Sequence, residues 1–391
     1  MVANVMRSLA STRRTPLLVV LVALAFTGLA GPADAKPHFG VHIGEANRSV
    51  DEWQRMALGE VAVVRRSFEY TSNVQQFDGV MRKTSDAGLR VLPVVMGTPD
   101  GGIDPPRSDS ELDAFGSFTE ELVERYGRNG TFWCDTPGNI GAGCAPIYRP
   151  ITDWQILNEP SLDVFWAGDP NPREYARAVE VADDAIKSRD PEADTVLAGM
   201  PYDTARGMSL EKFIGKFYDV GGVRNDFDAA AVHPYGRDED DVRFILERLR
   251  SKMKNANDGG TDVWVTEMGW ATGGPDGPFR VSDSGQKKRL EKSFEFMEDD
   301  RKRYNLDTVV WYNWRDVDVE PDRFHHHTGL FEKNGDPKPA WSAFTDFTGG
   351  NDGGGAPVTS ASAKAGVAPD PLAAPPSEEQ LLPPPNGAAG E

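Results

Sequence analysis

Cysteine is almost absent from the chain: among 391 residues there are two, Cys134 and Cys144. Two thiols with no histidine nearby are too few for a thiolate zinc site. Their setting, "FWCDTPGNIGAGCAP", is a loop rich in Gly and Pro, and in an exported protein this reads as one disulfide pinning that loop. Positive charge is also scarce, with 42 Lys and Arg against 61 Asp and Glu and a formal net charge of −19. Such an acidic surface excludes a nucleic-acid partner and suits a dispersed, exported protein. A Gly-rich phosphate loop after the first apolar strand is missing as well, which removes the usual mark of a nucleotide or dinucleotide site. No short internal repeat is visible.

Long apolar runs are limited to one, Leu17 to about Ala30. Three arginines (Arg7, Arg13, Arg14) precede it and "ADA" at 33–35 follows, the pattern of a secretory signal with a small-x-small cleavage site. The run is short for a membrane span, so no stable span is expected after cleavage; an uncleaved anchor is the alternative, and the export route stays open. Losing residues 1–35 removes three positive charges and one negative, which takes the net charge to −21. From residue 349 onward the chain is Gly, Ala, Pro and Ser with almost no aromatic or β-branched content, which reads as a disordered tail over 349–391. Residues 36–348 remain, a length ordinary for one α/β barrel domain.

Within that span short apolar strands alternate with amphipathic segments. The strands are expected at 38–43, 61–68, 90–95, 153–158, 195–200, 228–233, 262–267 and 308–313. The helical patterns fall at 49–59, 72–87, 109–127, 171–188, 208–220, 238–255, 284–301 and 338–346. Strand–helix alternation implies a parallel sheet, and eight units favour closure into an α/β (β/α)8 TIM barrel.

In such a barrel the chemistry lies at the C-terminal ends of the strands. Strand 2 offers Arg65 and Arg66, strand 4 Asn158 and Glu159, and strand 6 His233 and Tyr235. Strand 7 ends in Glu267, and strand 8 leads into Asn313 and Trp314. Taken alone, "ITDWQILNEP" is either a buried strand stopping at a ligand or a helix start capped by Asn158. Two carboxylates at equivalent strand ends favour the ligand, because Glu159 and Glu267 flanking one bond can hydrolyse a glycoside. Aromatics follow each of them, Trp166 and Trp270. One tension is built in: Asn158 and Glu159 are neighbours and would face opposite ways in a regular strand, so both reach the site only if the strand twists or bulges.

"WQILNEP", then "AVHPYG", then "VWVTEMGW" resembles the retaining glycoside hydrolases of clan A, families 5 and 39 among them, over nearly all of 38–345. The resemblance implies Glu159 as acid/base, Glu267 as nucleophile and Asn158 holding the hydroxyl beside the reacting carbon. It implies His233 and Tyr235 as the pair that orients substrate and nucleophile, Trp314 beneath the reacting sugar, and Arg65 as the strand-2 arginine, with Arg66 adjacent. Trp270 is placed with the substrate-binding residues. The expectation is therefore an exported, single-domain, monomeric O-glycosyl hydrolase that cleaves a β-linked oligo- or polysaccharide with retention, with no cofactor and no metal. A carbohydrate-binding barrel that has lost turnover is the rival. "HHH" at 325–327 is not expected to bind metal, since three consecutive histidines cannot all face one ion. His42 could line the mouth or sit in the core. Trp133 and Trp166 could be sugar platforms or loop packing, and Trp264 is expected in the core.

Overall fold

The computed structural model describes residues 36–44, 49–99, 102–134, 144–166, 168–319 and 322–353, together with a two-residue strand at Leu381–Leu382. Eight strands occur where the apolar runs stand: β1 His38–His42, β2 Val63–Glu69, β3 Arg90–Met96, β4 Asp153–Ile156, β5 Asp194–Leu197, β6 Ala229–Val232, β7 Asp262–Val265 and β8 Leu306–Trp311. They pair in parallel in sequence order, and β8 pairs with β1 to close the barrel. Closure leaves no free edge, so every strand is covered on both faces and each reads as a nearly continuous apolar run.

The main helices are α1 Val50–Leu58, α2 Asp78–Asp86, α3 Asp109–Tyr126, α4 Pro172–Arg189, α5 Leu210–Tyr218, α6 Glu239–Asn255, α7 Asp283–Asp299 and α8 Pro339–Thr348. Their starts follow from local chemistry. Ser49 with Glu52, and Ser108 with Glu111, form reciprocal capping boxes at α1 and α3. Asn171 caps α4 ahead of a proline at the first helical position, and Gly349, at φ 78°, ends α8. The signal segment expected at 1–35 lies outside the described residues. Among those described, no helix is long and apolar enough to cross a membrane.

The expected boundary at 348 moves a few residues. Asn351 N donates to Leu58 O at 2.7 Å, and Trp341 Nε1 donates to Asp352 O at 3.0 Å, so packed chain continues to Asp352. Within the segment read as a disordered tail, Leu381–Leu382 pair antiparallel with Asp203–Thr204.

Inside the barrel, Val63, Leu92, Val196, Ala229, Ala231, Trp264 and Val310 form one buried cluster. Trp264 is the large member, and Ala231, its register partner on β6, is small enough to admit the indole. Strand parity then fixes what faces inward: on β2 it is Val63 and Arg65, which turns Arg66 to the outer face.

At the opposite, N-terminal end of the barrel, Asp153 and Asp194 are register partners, and the Asp228 carboxylate stands at the same corner, where it accepts from Thr195 N at 2.9 Å. Although Asp194 is exposed, partial desolvation, then Asp153 and Asp228, raise its pKa to about 6. A carboxyl that holds its proton more tightly folded than unfolded loses stability as pH rises from about 4 to about 6. Asp194→Asn is therefore expected to raise Tm by about 1–3 °C at pH 7, a gain kept small by solvent screening, and by less at pH 4. Thermal melts of both variants at the two pH values measure this.

Cys134 and Cys144 are joined by a disulfide with Cα atoms 5.0 Å apart, as the loop composition led us to expect. The bridge sits beside backbone bonds from Cys134 N to Ala145 O and from Ala145 N to Phe132 O. Replacing both cysteines with serine is expected to lower stability by roughly 2–3 kcal/mol on the loop-entropy model. Urea denaturation would show the loss, and mass spectrometry without reductant the bridge.

Candidate active site

Strand β4 ends at Ile156, and the chain then leaves extended geometry: Leu157 has φ 64° and Glu159 φ 39°. Left-handed backbone at two non-glycine residues is strained and persists only where the surroundings hold it. Here Leu157 N donates to Val95 O of β3 and Glu159 N to Gly199 O just past β5, pinning the turn on both sides. The result removes the parity conflict noted above, since Asn158 and Glu159 both reach the barrel mouth.

Arg65, fully buried on β2, gathers the site around its guanidinium. Nε donates to Gln155 Oε1 at 2.7 Å, Nη1 to Glu267 Oε1 at 2.6 Å and Nη2 to Asn158 Oδ1 at 2.8 Å, while His42 Nδ1 lies 3.3 Å from Nη1. Arginine suits this role because its rigid fork serves several acceptors at once. Tyr235 adds a second donor to Glu267, from Oη to Oε2 at 2.8 Å. Glu267 thus receives a cation on one oxygen and a hydroxyl on the other, partners that match an ionised carboxylate. The Tyr235 phenol is itself pushed up by burial and by the neighbouring Glu267 charge, so it stays a donor.

Glu159 has a different setting. Burial, then the charge of Glu267, raise its carboxyl well above the usual range, with Arg65 only partly opposing. Its Oε1 lies 2.6 Å from His233 Nδ1, and its Oε2 has no hydrogen-bond partner among the described residues. Burial, then Arg65 and His42, push the His233 imidazole well below its ordinary value, so the His–Glu contact is a neutral pair. Asn158 is held by Arg65 through its oxygen, which leaves its Nδ2 without a protein partner among the described residues.

One ligand atom each from Glu159, His233 and Glu267 lies within 4.8 Å of the others, a spacing that could accommodate a cation. The Arg65 guanidinium in direct contact with Glu267 repels a cation there, and the arrangement suits proton handling instead. The three histidines at 325–327 occupy a short 3-10 turn and diverge. His327 Nε2 contacts Asp322 Oδ1 at 2.6 Å, His326 Nδ1 accepts from Arg323 N, and His325 meets the Tyr312 ring edge-on.

Two residues placed with the substrate lie elsewhere. Trp314 is buried with Nε1 donating to Glu52 Oε1 of α1, and its ring packs on Phe331 and Trp341. Trp270 is buried with Nε1 donating to Gly236 O, beside Trp311 and under Arg289 of α7. Both stand beyond the ends of their strands, β7 at Val265 and β8 at Trp311, where alternation no longer sets direction; within β8, Val310 faces the barrel interior and Trp311 turns outward toward Phe294 of α7, and the aromatic at the mouth is Tyr312. Tyr312 stacks on His42 with ring centroids 4.7 Å apart, which places His42 at the mouth rather than in the outer core. Trp133 and Trp166 are buried packing residues, and Trp264 is core, as expected. Sequence reasoning missed Gln155, Thr266 and Tyr312. For Thr266 and Tyr312 the available signal was strand parity, counted forward from Trp264 and from Val310; for Gln155 the left-handed turn at Leu157 and Glu159 breaks the count back from Glu159.

Residues 158–344 match the family model described as glycosyl hydrolase catalytic core. No curated protein matches the sequence. Among solved structures, the chain is similar to a glucosidase from Croceicoccus marinus, with 18% identity, TM-score 0.59 and coverage of 81% of this chain and 68% of that one. It is also similar to a family 39 glycoside hydrolase from Bacteroides cellulosilyticus WH2, with 16% identity, TM-score 0.55 and 80% of this chain aligned. The aligned part spans 64% of the length of that family 39 protein. A GH5_18 protein from Bifidobacterium longum subsp. infantis has 13% identity, TM-score 0.55 and coverage of 80% and 79% of the two chains. At these identities the structural likeness establishes the (β/α)8 fold, and the stretch matched by the glycosyl hydrolase catalytic core model, 158–344, contains Asn158, Glu159, His233, Tyr235 and Glu267.

Proposed function

We propose that the protein is an exported, monomeric, retaining glycoside hydrolase that cleaves β-linked oligo- or polysaccharides by double displacement. The observation that carries this reading is the pairing of two glutamates in unlike settings. Glu267 is clamped by Arg65 and Tyr235, whereas burial and the Glu267 charge push the Glu159 carboxyl well above its usual range, with an oxygen of each within 4.8 Å. Retention calls for carboxyls about 5–5.5 Å apart, against the roughly 6.5–9.5 Å that leaves room for water in an inverting pair, and oxygens this close are compatible with it.

In the first step Glu267 attacks the anomeric carbon as the glycosidic bond breaks, and the Glu159 proton passes to the departing oxygen. In the second, ionised Glu159 takes a proton from water, which displaces Glu267 and regenerates both groups. Asn158, oriented by Arg65, offers its free amide hydrogens to a sugar hydroxyl. The disulfide and the apolar segment after three N-terminal arginines support export, since disulfides persist in oxidising compartments.

A second reading, a carbohydrate-binding barrel without turnover, is favoured by one observation: the side chains of Glu159 and Glu267 are 0% exposed, with Tyr235 roofed by Phe279 and Phe324. A panel of aryl β-glycosides and of xylo-, manno-, gluco- and galacto-oligosaccharides separates the two. Turnover with the β anomer formed first supports the retaining enzyme; binding without turnover supports the rival, and an α product means inversion.

A further inference from the structure

Behind the two glutamates lies a hydrogen-bonded chain that the reaction above does not use. Arg65 Nε donates to Gln155 at 2.7 Å. A guanidinium has no acceptor, so Gln155 must present its oxygen to Arg65 and keep its NH2 for other partners. Those partners are Leu197 O at 3.0 Å and Thr266 Oγ1 at 3.1 Å. Thr266 therefore accepts from Gln155, and its single hydroxyl proton is left for its other neighbour, His233 Nε2, at 3.0 Å. Where Thr266 donates that proton, Nε2 is the acceptor and the one ring proton of a neutral imidazole sits on Nδ1, facing Glu159 Oε1 at 2.6 Å.

We propose that Gln155 and Thr266 are positioning residues that carry the fixed donor polarity of Arg65 to His233, selecting the tautomer that leaves the acid proton of Glu159 on Oε2. With Nδ1–H donating to Oε1, the proton that Glu159 delivers resides on Oε2, the buried oxygen that has no protein partner among the described residues. The opposite tautomer would present a lone pair at Nδ1, which would hold the Glu159 proton in an inward hydrogen bond, away from the substrate. Other charged and titratable groups around the ring are Arg65, His42, Glu267 and Tyr235, with Glu267 Oε2 at 3.8 Å from Nδ1. Gly199 lies flush against the far edge of the ring. A Cβ there would stand 2.2 Å from both Cδ2 and Nε2 of His233 and 2.5 Å from Thr266 Oγ1, so the ring is fixed in place by backbone. The role assigned to Glu159 rests on the glycosidase reading; the tautomer does not.

The test has two arms on the intact protein. Nitrogen-15 spectra of histidine-labelled wild type at neutral pH, with His233 assigned by its loss in His233→Asn, are expected to show Nδ1 protonated and Nε2 bare. A protonated Nε2 overturns the proposal whatever the enzyme does. In the second arm, Thr266→Val keeps the shape and removes the hydroxyl. It is expected to lower kcat/KM by about 10- to 100-fold for aryl glycosides with poor leaving groups, a part of the ~10²–10⁴ that general acid catalysis supplies. A dinitrophenyl glycoside should change less than about twofold, because its leaving group needs no proton, and Thr266→Ser should restore both. An equal loss for all leaving groups overturns the positioning role and marks Thr266 as structural. If wild type turns over no glycoside, the reading of function fails, and the wild-type spectrum still decides the tautomer.

Discussion

Glu267→Ala is expected to abolish turnover on every glycoside, by about five to six powers of ten, the scale on which loss of a covalent nucleophile is felt. The loss should not depend on the leaving group, because the step removed is attack on the anomeric carbon. Glu159→Ala should differ in kind. Substrates with poor leaving groups lose the ~10²–10⁴ of general acid catalysis, whereas kcat/KM for a dinitrophenyl glycoside stays close to wild type. Azide, small enough to enter the space of either carboxyl, separates the two roles further. With Glu159→Ala it attacks the glycosyl-enzyme and gives the β-azide; with Glu267→Ala it attacks the substrate directly and gives the α-azide. Steady-state kinetics across a leaving-group series, with NMR of the azide products, reads all of this. Identical leaving-group dependence in the two variants, or azides of the same configuration, would refute the assignment. Circular dichroism must accompany Glu267→Ala, because that variant strands the buried Arg65 charge.

The second large effect is expected at Arg65 itself. Its guanidinium is fully buried and contacts Gln155, His42, Asn158 and Glu267. Arg65→Met should cost about 3–5 kcal/mol at neutral pH, less for the lost contacts than for the Glu267 carboxylate left buried without a cation. The pH dependence follows from that cause. Without Arg65, Glu267 in the folded variant binds its proton more tightly than in the unfolded chain, so the variant gains protons on folding and loses stability as pH rises above about 4. The deficit against wild type should therefore be larger at pH 7.5 than at pH 4.5, as urea midpoints would show. Adding Glu267→Gln to Arg65→Met should recover part of the loss at pH 7.5, the signature of a coupled pair. Arg65→Lys keeps the charge and should retain more stability, yet one ammonium cannot hold Gln155, Glu267 and Asn158 together, so turnover should still fall. A deficit independent of pH would show that packing, rather than the buried charge, dominates.

Much of the barrel is legible in the chain because its determinants are local. Each strand is a short apolar run covered on both faces, and each helix begins with a side chain that caps its own backbone, as Ser49 and Ser108 do. Glu159 and Glu267 are visible for the same reason, as carboxylates at the ends of runs that otherwise exclude charge. Trp314 and Trp270 show where local reasoning stops. Their chemistry suits a sugar face, but both stand beyond the ends of their strands, where alternation no longer tells which way an aromatic points, and a resemblance in motif does not supply it.

The sequence by itself determined the alternation of eight strands and eight helices, the parallel barrel that follows, the lone cysteine pair and the two glutamates at strand ends. Tertiary structure alone decided which candidate faces the site: Arg65 rather than its neighbour Arg66, and Tyr312 rather than Trp314 two residues on. It also decided that Asn158 and Glu159 both turn inward through left-handed backbone at Leu157 and Glu159, and that Gln155 and Thr266 link Arg65 to His233. The physical reason is that strand identity is set by the apolarity of neighbouring residues, while the polarity of a buried hydrogen-bond network is set by partners 90 and 111 residues apart, which only barrel closure brings within 3.1 Å.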